Sequence, residues 1–200
     1  MPIQVFSSFI FFAFISSITP GPANLVTFAT AIQYGKKPAL HQWTGLETGY
    51  FIDTVVSVFI VYFLGASFTK YVKMLTFVGV AYMIYLAVHM LRQNYSSEQK
   101  SVKEPGFLRG ILVQLTNVKV IITIITCLSS YVLPYYQDFG HIFLYSLFLP
   151  LIGPSCPLVW LFAGSWLQKF FVKHQMIVNI VMAILLFLCA VSLIVFFFTA

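Results

Sequence analysis

Apolar residues run along this chain in long blocks, and each block can be measured against a bilayer, whose core takes about 20 helical residues per crossing. Six blocks qualify: Val5 to Gln33, Gln42 to Ala66, Val72 to Leu91, Phe107 to Leu133, Ile142 to Trp166 and Ile177 to Phe198. The connections are short and polar. "QNYSSEQKSVKEP", Gln93 to Pro105, reads as a solvated loop and divides a single transmembrane domain, 1–200, into repeat one at about 1–93 and repeat two at about 106–200. An odd number of spans per repeat forces the second to insert upside down relative to the first, if the two share a fold. The expected fold is therefore an all-α integral membrane protein with six transmembrane helices in two inverted three-helix repeats.

Three of the predicted helices are interrupted. "TPGPAN", Thr19 to Asn24, falls near the middle of the first span. Proline has no backbone donor and clashes with the preceding turn, and glycine is unfavourable in a helix interior, so Pro20, Gly21 and Pro22 break the helix there. The first helix of the second half has a polar interruption of its own, "QLTNVK", Gln114 to Lys119, and the fifth carries Pro150, Pro154 and Pro157 in "LPLIGPSCP". Backbone freed at membrane depth is tolerated where protein or a water-filled cavity satisfies it. Half-helix ends of this kind supply dipole ends and bare carbonyls to a substrate near the midplane, so the two breaks point to a binding site between the halves. Its candidate residues are Thr19, Pro20, Gly21, Pro22, Asn24, Asn117 and Lys119.

Composition confirms the solvent. Of 200 residues, 60% are hydrophobic and 8% charged, against about a quarter charged in soluble domains. A cleaved signal peptide is the alternative for "FIFFAFI", Phe9 to Ile15, but no Lys or Arg precedes it and the apolar pattern resumes after the prolines. If loops alternate sides, Lys36, Lys37, Arg92, Lys100, Lys103, Arg109, Lys169 and Lys173 share one face and Lys70 and Lys73 the other. Cytoplasmic loops are the basic ones, which puts both termini outside, periplasmic for a bacterial inner membrane. The net charge of +6 belongs to that face and to lipid contact, and nucleic acid is not an expected partner.

Cys127, Cys156 and Cys189 form no C-x-x-C and read as small packing residues. His41, His89, His141 and His174 lie near span ends with no H-E-x-x-H, so no metal or other cofactor is expected. The intramembrane charges are more informative. Glu47 and Asp53 fall in the second span and Lys119 in the fourth, where an ionised side chain costs at least about 2.5 kcal/mol unless paired or hydrated. Asp53 and Lys119 each lie about 15 to 18 Å from the cytoplasmic ends of their spans, at matching depth. Two readings stand for them: an ion pair that locks the bundle, or groups facing a cavity, with Lys119 on a substrate carboxylate and Asp53 on an ammonium or a coupling proton. Glu47 is shallower, where snorkelling or a vestibule role competes. In "GLETG", Gly45 and Gly49 form a G-x-x-x-G that Asp53 and Ser57 continue, a small-residue stripe that turns Asp53 toward a packed neighbour.

"TPGPAN" after a short half-helix, "VGVAYMIYLAVHMLR" ending the third span and "FLRGILVQLTNVKVII" opening the fourth together resemble the lysine exporter/homoserine-threonine resistance (LysE/RhtB) family of amino-acid exporters, over nearly the whole chain. Most of that family carries Asn-Pro-Lys in the fourth helix, where this chain has Asn117, Val118 and Lys119. With "CLSSYVLP" and "NIVMAILLFLCAV", the variant resembles the cysteine/O-acetylserine exporter branch. Glu47 and Asp53 are not part of the family motif. The resemblance implies secondary-active efflux of a small amino acid, with threonine, homoserine or basic amino acids as other substrates, and leaves a coupling proton and a homodimer open. A passive small-solute channel would show a continuous polar stripe through several spans, and an enzyme a catalytic constellation at one depth; neither is found. A non-transporting scaffold is the remaining alternative.

Overall fold

The computed structural model describes residues 1–65 and 105–199, and between them Phe77, Val80, Ala81, Ile84, Tyr85, Ala87, Val88 and Leu91, each of them helical. Most of the predicted third span, the loop Gln93 to Lys103, His89 and the Cys189 side chain lie outside the described residues. The described residues are helical throughout, apart from short connections.

Proline and glycine set the boundaries in the first half. Helix α1, Ile3–Ile18, stops before the extended Thr19, and α2, Pro22–Tyr34, starts with proline at its first position, where a missing N–H is harmless. The two pieces bend by 46° at this break. Gly35, at φ +88°, ends α2 in a conformation that only glycine adopts cheaply, and α3, Lys36–Leu64, follows at once. The helix therefore begins six residues before the predicted Gln42; Pro38 sits in its first turn, where proline is tolerated.

The second half repeats the interruption. Helices α4, Phe107–Leu115, and α5, Val118–Cys127, meet at Thr116 and Asn117 and bend by 60°. The helix widens into a π turn over Leu128–Val132, where the Leu133 amide donates to the Leu128 carbonyl at 2.8 Å. The fifth span starts three residues before the predicted Ile142, with α6, Phe139–Ser146, capped by the Asp138 carboxylate, which accepts from the His141 amide at 3.0 Å. The capping ring of His141 holds the Asp138 carboxyl below the ordinary carboxylate range. Helices α7, Phe148–Ile152, and α8, Ser155–Lys173, are separated by a turn at Gly153 and Pro154. Pro157 has no N–H for the Gly153 carbonyl, which takes the Cys156 amide at 3.3 Å instead. Helix α9 runs over Gln175–Thr199.

Among the described residues two helices are long and apolar enough to cross a membrane, or up to four if each bent pair is one span. Large apolar side chains such as Phe11, Phe63, Leu112, Leu151 and Trp166 face outward. Water would not tolerate so extensive an apolar surface; lipid does. The core joins Phe9 and Ala13 of α1, Tyr50, Val58 and Val61 of α3, Ile124 and Cys127 of α5, and Ile142 and Leu149 of the fifth span.

Backbones come closest where α3 crosses α4. A Cβ on Gly110 would lie 2.9 Å from the Leu46 nitrogen and 3.0 Å from the Gly45 Cα, and one on Gly45 would overlap the Phe107 carbonyl. One turn on, a Cβ on Gly49 would lie 2.7 Å from the Gln114 Cβ. The small-residue stripe Gly45, Gly49, Asp53 and Ser57 is buried along its length, and α4 lies against it.

Candidate functional site

The break in the first span leaves a run of carbonyls without intrahelical donors, and side chains from distant elements supply them. Thr19 Oγ1 donates to the Ser16 carbonyl at 2.8 Å. The Asn24 carboxamide spans the break from the second half-helix, its Nδ2 donating to the carbonyls of Ser17 and Thr19, both at 2.8 Å. Trp160 Nε1, from α8, donates to the Ile18 carbonyl at 3.1 Å. Lys119, from the first turn of α5, donates from Nζ to the Thr19 carbonyl at 2.9 Å, to Thr19 Oγ1 at 2.7 Å and to the Pro20 carbonyl at 3.3 Å. An ammonium has three N–H donors, and here three acceptors of the broken segment face it. A cation also suits this position electrostatically, because the C-terminal end of a helix carries partial negative charge.

A small cavity opens between the two breaks. Ser16, Ser17, Gly21, Ala23 and Asn24 line it from the first span, Leu46 and Tyr50 from α3, and Gln114, Asn117, Lys119, Val120 and Thr123 from the second break. Gly153, Pro154 and Pro157 close it from the fifth span. The walls thus hold one ammonium, several hydroxyls and three carboxamides, beside apolar surface. Asn117 is 2% exposed and its Oδ1 has no hydrogen-bond partner, which leaves a buried acceptor at this site. Such an orphan is costly unless something in the cavity pairs with it.

The geometry sorts the residues expected from sequence. Gly21, Asn24, Asn117 and Lys119 line the cavity together, Thr19 and Pro20 reach it through Lys119, and Pro22 is buried at the start of α2. Pro154 and Pro157 line it, whereas Pro150, in α7, does not. Asp53 and Lys119 have separate partners: Asp53 is 5% exposed and its Oδ2 accepts from Gln114 Nε2 at 3.2 Å, while Lys119 holds the first break. Asp53 therefore stands behind the cavity wall, joined to it by Gln114. Glu47 is exposed on α3 and outside the cavity. Cys127 and Cys156 are buried free thiols, and no cluster able to hold a metal occurs among the described residues.

Some site residues were not named as candidates from sequence: Tyr50 and Gln114, which line the cavity, and Trp160, which binds the break without lining it. Tyr50 follows Gly49 in the small-residue stripe, and its ring lies where a Cβ on Gly153 would be, its Oη 2.6 Å from that position. Gln114 stands at the edge of "QLTNVK", a visible signal. Trp160 had none, since its carbonyl partner is 142 residues away in the chain.

A bundle of broken apolar helices around a small cavity with a lysine ammonium and an unpaired amide oxygen fits a membrane transport protein. The family model for the LysE type translocator matches residues 7–196, and the chain belongs to that family. Its members translocate solutes and are not enzymes. The chain is 30% identical over 190 residues to the "Cysteine/O-acetylserine efflux protein" of Salmonella choleraesuis, covering 95% of this chain and 97% of the relative. Proteins with the same designation from Klebsiella pneumoniae subsp. pneumoniae and Escherichia coli O139:H28 are each 29% identical, with 94% of this chain and 96% of the relative covered in both cases. No solved structure matches the chain.

Proposed function

We propose that this protein exports small amino acids or their derivatives, of the cysteine or O-acetylserine type, across the bacterial inner membrane by proton-coupled alternating access. The relatives' designations support the substrate class. The observation that carries the site assignment is the meeting of the two helix breaks at one cavity through the Lys119 contacts to Thr19 and Pro20. In this reading Lys119 receives the substrate carboxylate. Asn24 and Asn117 orient the zwitterion through their amides, and Gly21 leaves room for backbone approach. Asp53, buried and bonded to neutral Gln114, is the coupling group, since a carboxyl with a neutral partner can exchange its proton without breaking an ion pair.

The six-span arrangement with inverted repeats and periplasmic termini belongs to the same proposal, supported by the paired breaks and by the distribution of Lys and Arg. Reporter fusions at Ser97 and at the C-terminus are expected on opposite sides, with Ser97 cytoplasmic. Counterflow in proteoliposomes with cysteine, O-acetylserine, threonine, homoserine and lysine tests the substrate class. Exchange of cysteine or O-acetylserine is expected, and a protein active with none of the five overturns the assignment.

A further inference from the structure

We propose that the Lys119 ammonium occupies the subsite for which a substrate's own ammonium competes, so that binding exchanges one cation for another at the carbonyl end of α1 and turns Lys119 toward the substrate carboxylate. The inference rests on the transport reading above and adds to it the origin of its selectivity for zwitterions.

The acceptors around the break differ in who holds them. Asn24 and Trp160, a short side chain and a planar one, bind the Ser17 and Ile18 carbonyls from packed positions. Lys119 binds Thr19 and Pro20 at the end of a four-carbon stem with many rotamers, the one tether of the three that can leave without moving a helix. Its stem lies against Gly21. A Cβ on Gly21 would lie 3.1 Å from the Lys119 Cδ and 3.3 Å from Nζ, so any larger residue there would press on the stem. Meanwhile the Thr19 carbonyl keeps its second bond, from Asn24, when Lys119 departs. Asn117 Oδ1, two residues before Lys119 and without a partner, is a further acceptor for an incoming N–H.

Charge balance then dictates what can bind. A zwitterion replaces the lysine cation with its own and presents a carboxylate to the displaced ammonium, so no charge is left unpaired in a low-dielectric site. An amine without a carboxylate strands Lys119, and an acid without an ammonium cannot displace it. Selection for both charges follows from one mobile side chain.

Isothermal titration of the purified full chain with cysteine and with cysteamine, under reducing conditions, tests this. Cysteamine keeps the ammonium and thiol and lacks the carboxylate. Wild type is expected to bind cysteine at least about tenfold more tightly than cysteamine, the worth of one charge-assisted hydrogen bond. In Lys119→Met the cysteamine affinity should rise by about tenfold or more while that of cysteine falls toward it. Lys119→Gln, whose amide can still donate to the Thr19 carbonyl, makes the same comparison if the Met variant does not fold. Unchanged or weakened cysteamine binding in a folded variant, with cysteine still bound by wild type, overturns the exchange and leaves the transport reading intact. Gain of cysteamine binding in a protein whose wild type binds no cysteine supports the shared cation subsite and removes the cysteine assignment. No binding of either ligand by either protein overturns the exchange and removes the cysteine assignment.

Discussion

Lys119 and Thr19, 100 residues apart in the chain, meet through two hydrogen bonds from one ammonium, at 2.7 Å to the hydroxyl and 2.9 Å to the carbonyl. The contact links the broken helix of one half to that of the other, and it occupies the lysine that depth alone would have matched with Asp53. Two buried charges at matching depth in neighbouring spans invite an ion-pair reading, but which way each points is a matter of helix rotation. Here α4 inserts Gln114 as the partner of Asp53.

Separate partners predict separate effects. Removing both charges of an ion pair rescues much of the loss caused by removing one, because no uncompensated charge is left. The effects of Asp53→Asn and Lys119→Met on thermal unfolding should instead add to within about 0.5 kcal/mol, as expected for sites without shared partners. A double variant markedly more stable than the sum would show that the two residues pair in the protein in its membrane.

Asn24 should be irreplaceable by its isosteres. Its Nδ2 serves the Ser17 carbonyl and shares the Thr19 carbonyl with Lys119, so Asn24→Leu leaves the Ser17 carbonyl without its donor and should destabilise by about 1–3 kcal/mol. Asn24→Asp puts an acceptor against acceptors and should be no better. A denaturation midpoint for Asn24→Asp equal to that of wild type would mean that water or another side chain serves these carbonyls.

The α3–α4 crossing tolerates no methyl group. Gly45→Ala and Gly110→Ala would each drive a Cβ into backbone of the other helix, which cannot rotate away, and should lower stability by about 1–3 kcal/mol or more. Gly140→Ala is the matched control: the Asp138 Oδ1 is 3.4 Å from its added Cβ, an ordinary contact, and the change should stay within about 0.5 kcal/mol. Yields of folded protein by size-exclusion profile, together with unfolding temperatures, separate the two groups. Equal behaviour of all three would mean that the crossing is looser than its backbone distances indicate.

What was legible in the sequence is what backbone chemistry fixes locally. Pro20, Gly21 and Pro22 announce the first break because a proline cannot complete a helical turn, and "QLTNVK" announces the second because polar residues interrupt an apolar run. The start of α3 was missed by six residues because a hydropathy window discards Lys36 and Lys37, whereas the helix start follows from the positive φ of Gly35. The π turn at Leu128–Val132 left no composition signal. Partner choice was least legible: Trp160 on the Ile18 carbonyl, Trp43 on the Pro154 carbonyl at 2.7 Å and Gln114 on Asp53 are products of tertiary packing.

The Asp53–Gln114 pair yields the last prediction, which separates energy coupling from substrate binding. Asp53 does not line the cavity, so neutralising it should leave the substrate contacts in place, and Asn at this position can still accept from Gln114. If Asp53 carries the coupling proton, Asp53→Asn proteoliposomes should exchange labelled for unlabelled amino acid at close to the wild-type rate, since exchange needs only loaded forms of the carrier to reorient. They should fail to accumulate substrate against its gradient when a pH difference is imposed. Gln114→Leu makes the complementary change: it removes the hydrogen bond that Gln114 donates to a buried carboxyl and lines the cavity with an apolar group, so both exchange and driven transport should fall. Driven accumulation by Asp53→Asn equal to that of wild type would take the proton away from Asp53. Loss of exchange together with driven transport, in a variant that remains folded, would instead place the carboxyl among the groups that hold the substrate.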